Sequence, residues 1–599
     1  MAAAIIVAAM LGGCAEQSLV VDGSTVTVAS AQAFTSANDN TAFGNTPANT
    51  AIVAATSSGF SYYDDTPALV RDESFGHYEI VSEQPFSVEY TVNDGVLWSD
   101  GAPIDGADLL LAWAANSGVL NSEGFDPGRF VDLETGQFED FPEGTVYFDG
   151  ASRSGLQHVS ELPELGADGR SITLVYDEYF ADWELAFEVG LPAHAVVEQA
   201  LTVKKSDSES LDVAAKARLI DAVTEAYADP ASAAASDLSL IAAAWNSDFN
   251  LAAADRAPFV SSGPYTISAA NEERVTLVAN PEYSGDREPR FETVVMETIT
   301  DPLAAVNALR DGEVDVISPI PTTNVIDALD GIDDVTVLTS GSGQFEHLDL
   351  QFSRSRNGSV EDPLVREAFL LTIPRAEIVD ELVAPLTADA AVRDSFVLTP
   401  GSAKYGETVE ENGSQEFAKP EIAEAKRLLK QAGVASPVIC VLFDPANPRR
   451  VAEFTLIQES AAQAGFQVTD CSKPDWEEFL GVNGAYDAAL FAWNESTDAV
   501  SSAAARLQSG STISNFSHYA NPVVDELLAS LAVETDAGER ATLLADIDAE
   551  LWEDAYGVPL YQFPSLTAVS DSVRNVSPSA LSPGLTWNLW EWQPAPKGT

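Results

Sequence analysis

The side chains in this sequence with the most chemistry open to them are three cysteines, five histidines and a very large set of carboxylates. Cys14, Cys440 and Cys471 are too few for a disulfide scaffold, and no two have the close spacing of a zinc site. His77, His158, His194, His347 and His518 stand singly, none with the partner four residues along a helix that a metal-ligating pair needs. A Gly-x-Ser-x-Gly elbow, a phosphate-binding loop, a dinucleotide glycine fingerprint and a His-Glu-x-x-His helix are all missing. Pairs of carboxylates, a usual means of acid–base catalysis, arise unavoidably among 93 acidic residues and single out nothing. These residues therefore predict recognition rather than turnover: no enzyme, no cofactor and no bound metal is expected.

The carboxylates say more through what they repel. Asp and Glu number 93 against 30 Lys and Arg, a formal net charge of −63. Such a surface turns away nucleic-acid phosphates and anionic lipid headgroups, so nucleic acid is not an expected partner. Its ordinary meaning is solubility in salt or beside a charged cell wall. Attraction of cationic ligands is the sharper alternative.

Any site must be held by the elements around it. With 599 residues, 46% of them apolar, the chain predicts two or three packed domains. Ser24–Ala31 and Gln84–Asp94 alternate as strands, and 34–50 reads as a loop. Asp105–Asn116 and Pro302–Arg310 read as helices, and 201–255 as a helical embellishment. Val438–Phe443, Arg450–Ala464 and Phe466–Thr469 form a strand–helix–strand unit of the length a parallel crossover demands. Cys440 and Cys471 then share a sheet. They are read either as a disulfide, if the register brings their Cα atoms within about 7 Å, or as two buried thiols. Gly538–Asp554 follows as an amphipathic helix, and Val558–Phe563 as a strand.

At the N-terminus the uncharged apolar run 2–12 falls short of the roughly 20 residues of a membrane span but suits a signal-peptide core. It runs into Leu11-Gly12-Gly13-Cys14, which resembles the bacterial lipobox. That resemblance implies a signal peptide over 1–14, lipidation of Cys14, and a mature chain held on the outer face of the bacterial plasma membrane by its lipid alone. No Lys or Arg precedes the run, so a start further upstream is expected.

Between Val96 and Asp108 the sequence reads Val-Leu-Trp-Ser-Asp-Gly-Ala-Pro-Ile-Asp-Gly-Ala-Asp. Ser99-Asp100-Gly101 makes a tight turn and Asp105 can cap the next helix. This segment resembles the hallmark of the extracytoplasmic solute-binding proteins of family 5, the oligopeptide-, dipeptide- and nickel-binding lipoproteins. Further blocks resemble the family in the same order: Gly263-Pro264-Tyr265, Asn280-Pro281-Glu282-Tyr283, Ala308–Asp315, Asp362–Arg375, Asn515–Asp525 and Pro559-Leu560-Tyr561. Ile373-Pro374-Arg375 departs from the family's Ile-Asp-Arg, so a different local loop is expected there.

The resemblance implies an α/β fold, the two-lobed periplasmic-binding-protein type II architecture of the large, three-domain peptide-binding subgroup. The first lobe is expected over 20–70, 171–325 and 560–599, an inserted domain over 71–170, and the second lobe over 326–559. It also implies a monomer that captures peptides between its lobes and delivers them to the transmembrane subunits of an ABC permease. The alternatives are a cell-envelope lipoprotein of glycolipid assembly and a binder of a nickel chelate.

By the same resemblance the ligand's α-ammonium meets an acid in the segment Ala492–Asp498, with Asp498 as the anchor, Glu495 second, and Asn494 beside them. Trp493 is read as a cleft wall or as a core residue. Phe345, His347 and Asp349 fall on one face of an alternating strand that lines the cleft in the family, so Phe345 and His347 are candidate contacts, with a solvent-facing histidine as the alternative for His347. Tyr62 and Tyr63, in a loop, and Tyr561, at the return crossing, complete the set, with simple packing as the alternative for each. His194 is read as structural.

Overall fold

The computed structural model describes residues 19–596 apart from 67, 131–137, 139–140, 143, 151–154, 204–209, 230–236, 254–255, 403, 495–499 and 512–513. The first strand, β1 (Val21–Ser30), is followed by a short hairpin of β2 (Ser61–Tyr63) and β3 (Leu69–Arg71). Then β4 (Gly76–Glu83), β5 (Phe86–Val92), β6 (Glu164–Leu165) and β7 (Ser171–Val175) form a small sheet in the order β4-β5-β7-β6. The main sheet joins β1 to nine later strands. These are β8 (Tyr265–Ala270), β9 (Arg274–Ala279), β10 (Phe291–Thr298), β11 (Val316–Ile317), β12 (Val335–Leu350), β13 (Val438–Leu442), β14 (Gln467–Asp470), β15 (Ala488–Asn494) and β16 (Gly557–Ser570). Their order is β14-β13-β15-β12-β16-β11-β1-β10-β9-β8, with parallel and antiparallel pairs mixed.

Two strands hold this sheet together. β12 has 16 residues and β16 has 14, and their antiparallel pairing runs from Val335 opposite Ser570 to Asp349 opposite Gly557, with an irregularity between Gly341 and Phe345. On one side of that irregularity Leu348 and Val558 belong to an apolar core that also holds Ile439, Ile457 and Leu490. On the other side Leu566 and Ala568 pack with Val306, Leu309 and Ile317. The same two strands therefore serve separate cores at their two ends, which makes them the crossing between two bodies.

The Trp98–Asp108 segment folds as its residue types require. Gly101 takes φ 86° and returns its N–H to the Trp98 carbonyl at 2.9 Å. Asp105 caps the helix Gly106–Ser117, accepting from the Ala107 N–H, while the Asp108 carboxylate accepts from the Asp105 N–H. His194 closes the turn from outside, its Nε2 2.7 Å from Asp100 Oδ2.

Three expectations need correction. The helices Leu211–Ala228 and Asp237–Ser247 are no peripheral embellishment, since Leu219, Val223, Ile241 and Trp245 lie in the same core as Trp98 and Trp113. Tyr62 and Tyr63 sit in β2 rather than a loop. The small sheet takes in β7, past residue 170, because β5 pairs with it from Ser87–Val175 to Thr91–Ser171. β13 and β14 are parallel neighbours, and Cys471, just beyond β14, lies 5.5 Å from Cys440 by Cα and is joined to it in a disulfide.

Candidate functional site

On the second body, β12 and β15 place aromatic rings on a common face. Phe345 stands opposite Trp493 and His347 opposite Phe491 in the ladder. The His347 ring stacks on Trp493 at 5.8 Å and 2°, and Trp493 stacks on Phe516 at 5.7 Å and 6°. The Arg393 guanidinium lies 3.7 Å from the Phe345 ring centre. His347 is only 1% exposed, so it is not the solvent-facing histidine that the sequence left open. Its Nδ1 lies 2.8 Å from Asp349 Oδ1, and its Nε2 has no partner among the described residues. Beside it is a cavity of about 10 Å³ bounded by His347, Trp493, Arg506 and Tyr556, room for about one water.

Tyr561 points the other way. It pairs in register with Glu346, and both are fully buried under the helix Pro448–Ala464. Its hydroxyl donates to Glu453, whose carboxyl is pushed up first by burial and then by the Glu346 carboxylate. Arg450 and Arg449 answer Glu346 at 2.9 and 3.4 Å. Tyr561 therefore belongs to a buried polar network and does not line the aromatic face. Of the segment expected to meet an ammonium group, β15 delivers Trp493 and the backbone of Asn494, while Glu495 and Asp498 lie outside the described residues.

Tyr62 and Tyr63 line a different and larger cavity, of about 310 Å³, which shares no residue with the first. Its walls come from the helix Pro47–Thr56, the β2–β3 hairpin, the stretch Glu184–Leu191 and Phe249 with Phe259. Tyr62 meets Trp590 edge-on at 5.6 Å, and the Arg287 guanidinium lies 5.4 Å from the Tyr62 ring centre. Arg287 is already paired with Asp72 at 3.1 Å, and Glu184 with Arg71 at 2.6 Å.

Glu188 also lines this cavity, and no residue-type motif pointed to it. The side chain stays accessible to cavity solvent although protein surrounds it, and burial followed by the Asp39 carboxylate pushes its pKa up to about 7. One signal was present in the sequence: Glu188 is a single charge inside the apolar run Ala186–Leu191.

Against known proteins, the profile of the bacterial extracellular solute-binding proteins, family 5 (middle region), matches residues 67–515. An uncharacterized lipoprotein of Mycobacterium tuberculosis is 26% identical over 618 residues, spanning 98% of this chain and 95% of its own length. The oligopeptide-binding protein OppA of the same species is 23% identical over 536 residues, 86% of this chain and 76% of its own. A solved periplasmic EDTA-binding protein, EppA, superposes with a TM-score of 0.72 at 20% identity, covering 96% of this chain and 97% of that one. The fold is thus the type II binding-protein fold, and among the described residues no helix is long and apolar enough to cross a membrane.

Proposed function

The chain belongs to the bacterial extracellular solute-binding proteins of family 5, and from that premise we propose that it captures peptides between its two lobes and passes them to the permease of an ABC importer. Proteins of this family bind ligands without transforming them, and the reading here is likewise a binder and not an enzyme. β12 and β16 are the strands about which the lobes would close.

The observation that carries the peptide reading is the aromatic face at the end of β15. Trp493 and His347 are stacked there, and in sequence Glu495 and Asp498 follow Trp493 within five residues. A peptide's N-terminus needs a carboxylate for its ammonium group and an apolar wall for its first side chain. We assign Asp498 as that carboxylate, with Glu495 second. The similarity to an oligopeptide-binding protein over 86% of the chain supports the same reading. Lipidation at Cys14 is supported by Leu11-Gly12-Gly13-Cys14 and by the similarity to a mycobacterial lipoprotein.

The test is thermal unfolding of the protein against pooled di- to hexapeptides. A ligand confined to the folded state stabilises it by about 2.7 kcal/mol at a hundred times its dissociation constant. The expected result is a raised Tm that weakens when the peptide N-terminus is acetylated or Asp498→Asn is introduced. No rise with any peptide, beside a rise with a glycolipid or a nickel chelate, would transfer the function to one of those ligands.

A further inference from the structure

The cavity beside Tyr62 has features that packing alone does not account for. At about 310 Å³ it is at the lower bound of small-ligand pockets. Phe60, Tyr62, Phe187 and Phe249 give it aromatic walls. Its charged groups are unequally satisfied: Arg287 is met by Asp72 at 3.1 Å and Glu184 by Arg71 at 2.6 Å. The Glu188 carboxylate has no hydrogen bond or ion pair to any described residue, and the charge that acts on it, Asp39, is of the same sign. A carboxylate that lines an aromatic-walled cavity, open to its solvent and with no cation beside it, is free to pair with a cation that a ligand brings.

We propose that this cavity is a subsite for a cationic ligand group, a protonated amine or a guanidinium, with Glu188 as its counter-ion and the aromatic walls taking its alkyl stem. A cation bound beside Glu188 would favour its ionised form against the burial and the Asp39 charge that push its pKa up. Aromatic faces attract cations that have left water. The net charge of −63 draws cationic ligands toward the molecule in the first place. The inference rests on the peptide reading only for what carries the cation, making basic peptides the preferred cargo. The subsite itself stands on the cavity and Glu188.

The experiment is calorimetric titration of the full chain and its Glu188→Gln variant with three tripeptides: Ala-Lys-Ala, Ala-Arg-Ala and the neutral Ala-norleucine-Ala. Agmatine, which carries an amine and a guanidinium but no peptide bond, is the fourth probe. The wild-type chain should favour the Lys and Arg peptides over the norleucine peptide by about tenfold, the scale of one charge-assisted contact. Glu188→Gln should shrink that preference to within about twofold and weaken agmatine by about tenfold, while Glu188→Asp keeps part of both. If no tripeptide binds but agmatine binds in a Glu188-dependent way, the peptide reading fails and the subsite stands. Equal affinities with and without the Glu188 carboxylate overturn the subsite, as does a wild-type chain that binds neither agmatine nor the basic peptides.

Discussion

Tyr561 and His347 are near neighbours across the β12–β16 ladder, yet they do opposite work. His347 stacks on Trp493 over the aromatic face, whereas Tyr561 faces the helix Pro448–Ala464 and gives its hydroxyl to Glu453. A phenol in that position is read by stability and not by ligand. Tyr561→Phe deletes the donor while keeping the ring's packing, leaving a buried carboxyl oxygen without its partner. The expected cost is about 1–2 kcal/mol of unfolding free energy, measured by urea denaturation, with peptide affinity unchanged. A variant of unaltered stability that loses affinity would return Tyr561 to the binding face. Phe345 shows the converse: its ring is covered by Arg393 at 3.7 Å, so its contribution to any ligand passes through that guanidinium.

Between elements, the helix Leu211–Ala228 is tied to the Trp98–Asp108 segment by one buried cation. Lys216, with a side chain 5% exposed, reaches Asp108 Oδ2 at 2.8 Å and Asp105 Oδ2 at 3.1 Å. Asp108 at the same time accepts the Ala193 N–H at 2.9 Å, so three helices meet at one carboxylate. Lys216→Met leaves the fully buried Asp108 carboxylate without its cation and should cost about 3–5 kcal/mol, read from the denaturation midpoint. A cost near zero would mean that water reaches the cluster. Sequence could specify Asp105 as a cap, because capping is a contact between near neighbours, but it could not specify Lys216 as a partner 108 residues beyond Asp108. The same limit explains the misreading of 201–255: helical periodicity gives an apolar stripe without naming the surface it meets. It explains Tyr561 too, since alternation of period two divides a strand into faces without saying which face a helix covers. Contiguous segments such as Trp98–Asp108 and the strand–helix–strand unit around Cys440 were legible because their geometry is local. Glu188 was not, because its meaning depends on a cavity assembled from Phe60, Phe187 and Phe249.

At the scale of the whole molecule, the excess of acids sets a balance that salt can move. With 93 acidic against 30 basic residues, most carboxylates have no basic partner to meet, and surface pairs such as Arg427 with Glu424 each add little. Self-repulsion of the folded surface is the larger effect. Raising NaCl shrinks the screening length from about 10 Å at 0.1 M to about 3 Å at 1 M, which relieves repulsion between distant carboxylates while leaving buried pairs such as Lys216–Asp108 nearly intact. Tm should therefore rise over that range of NaCl, measured by calorimetry without ligand. The same screening weakens the long-range attraction for cations, so the affinity for Ala-Lys-Ala should fall as Tm rises, while that for Ala-norleucine-Ala changes little. Opposite movements of stability and of cation affinity would mark a single field acting on both. A Tm that falls with salt would instead mean that exposed ion pairs outweigh the repulsion, and the surface charge would then be a source of stability and not a cost the fold carries.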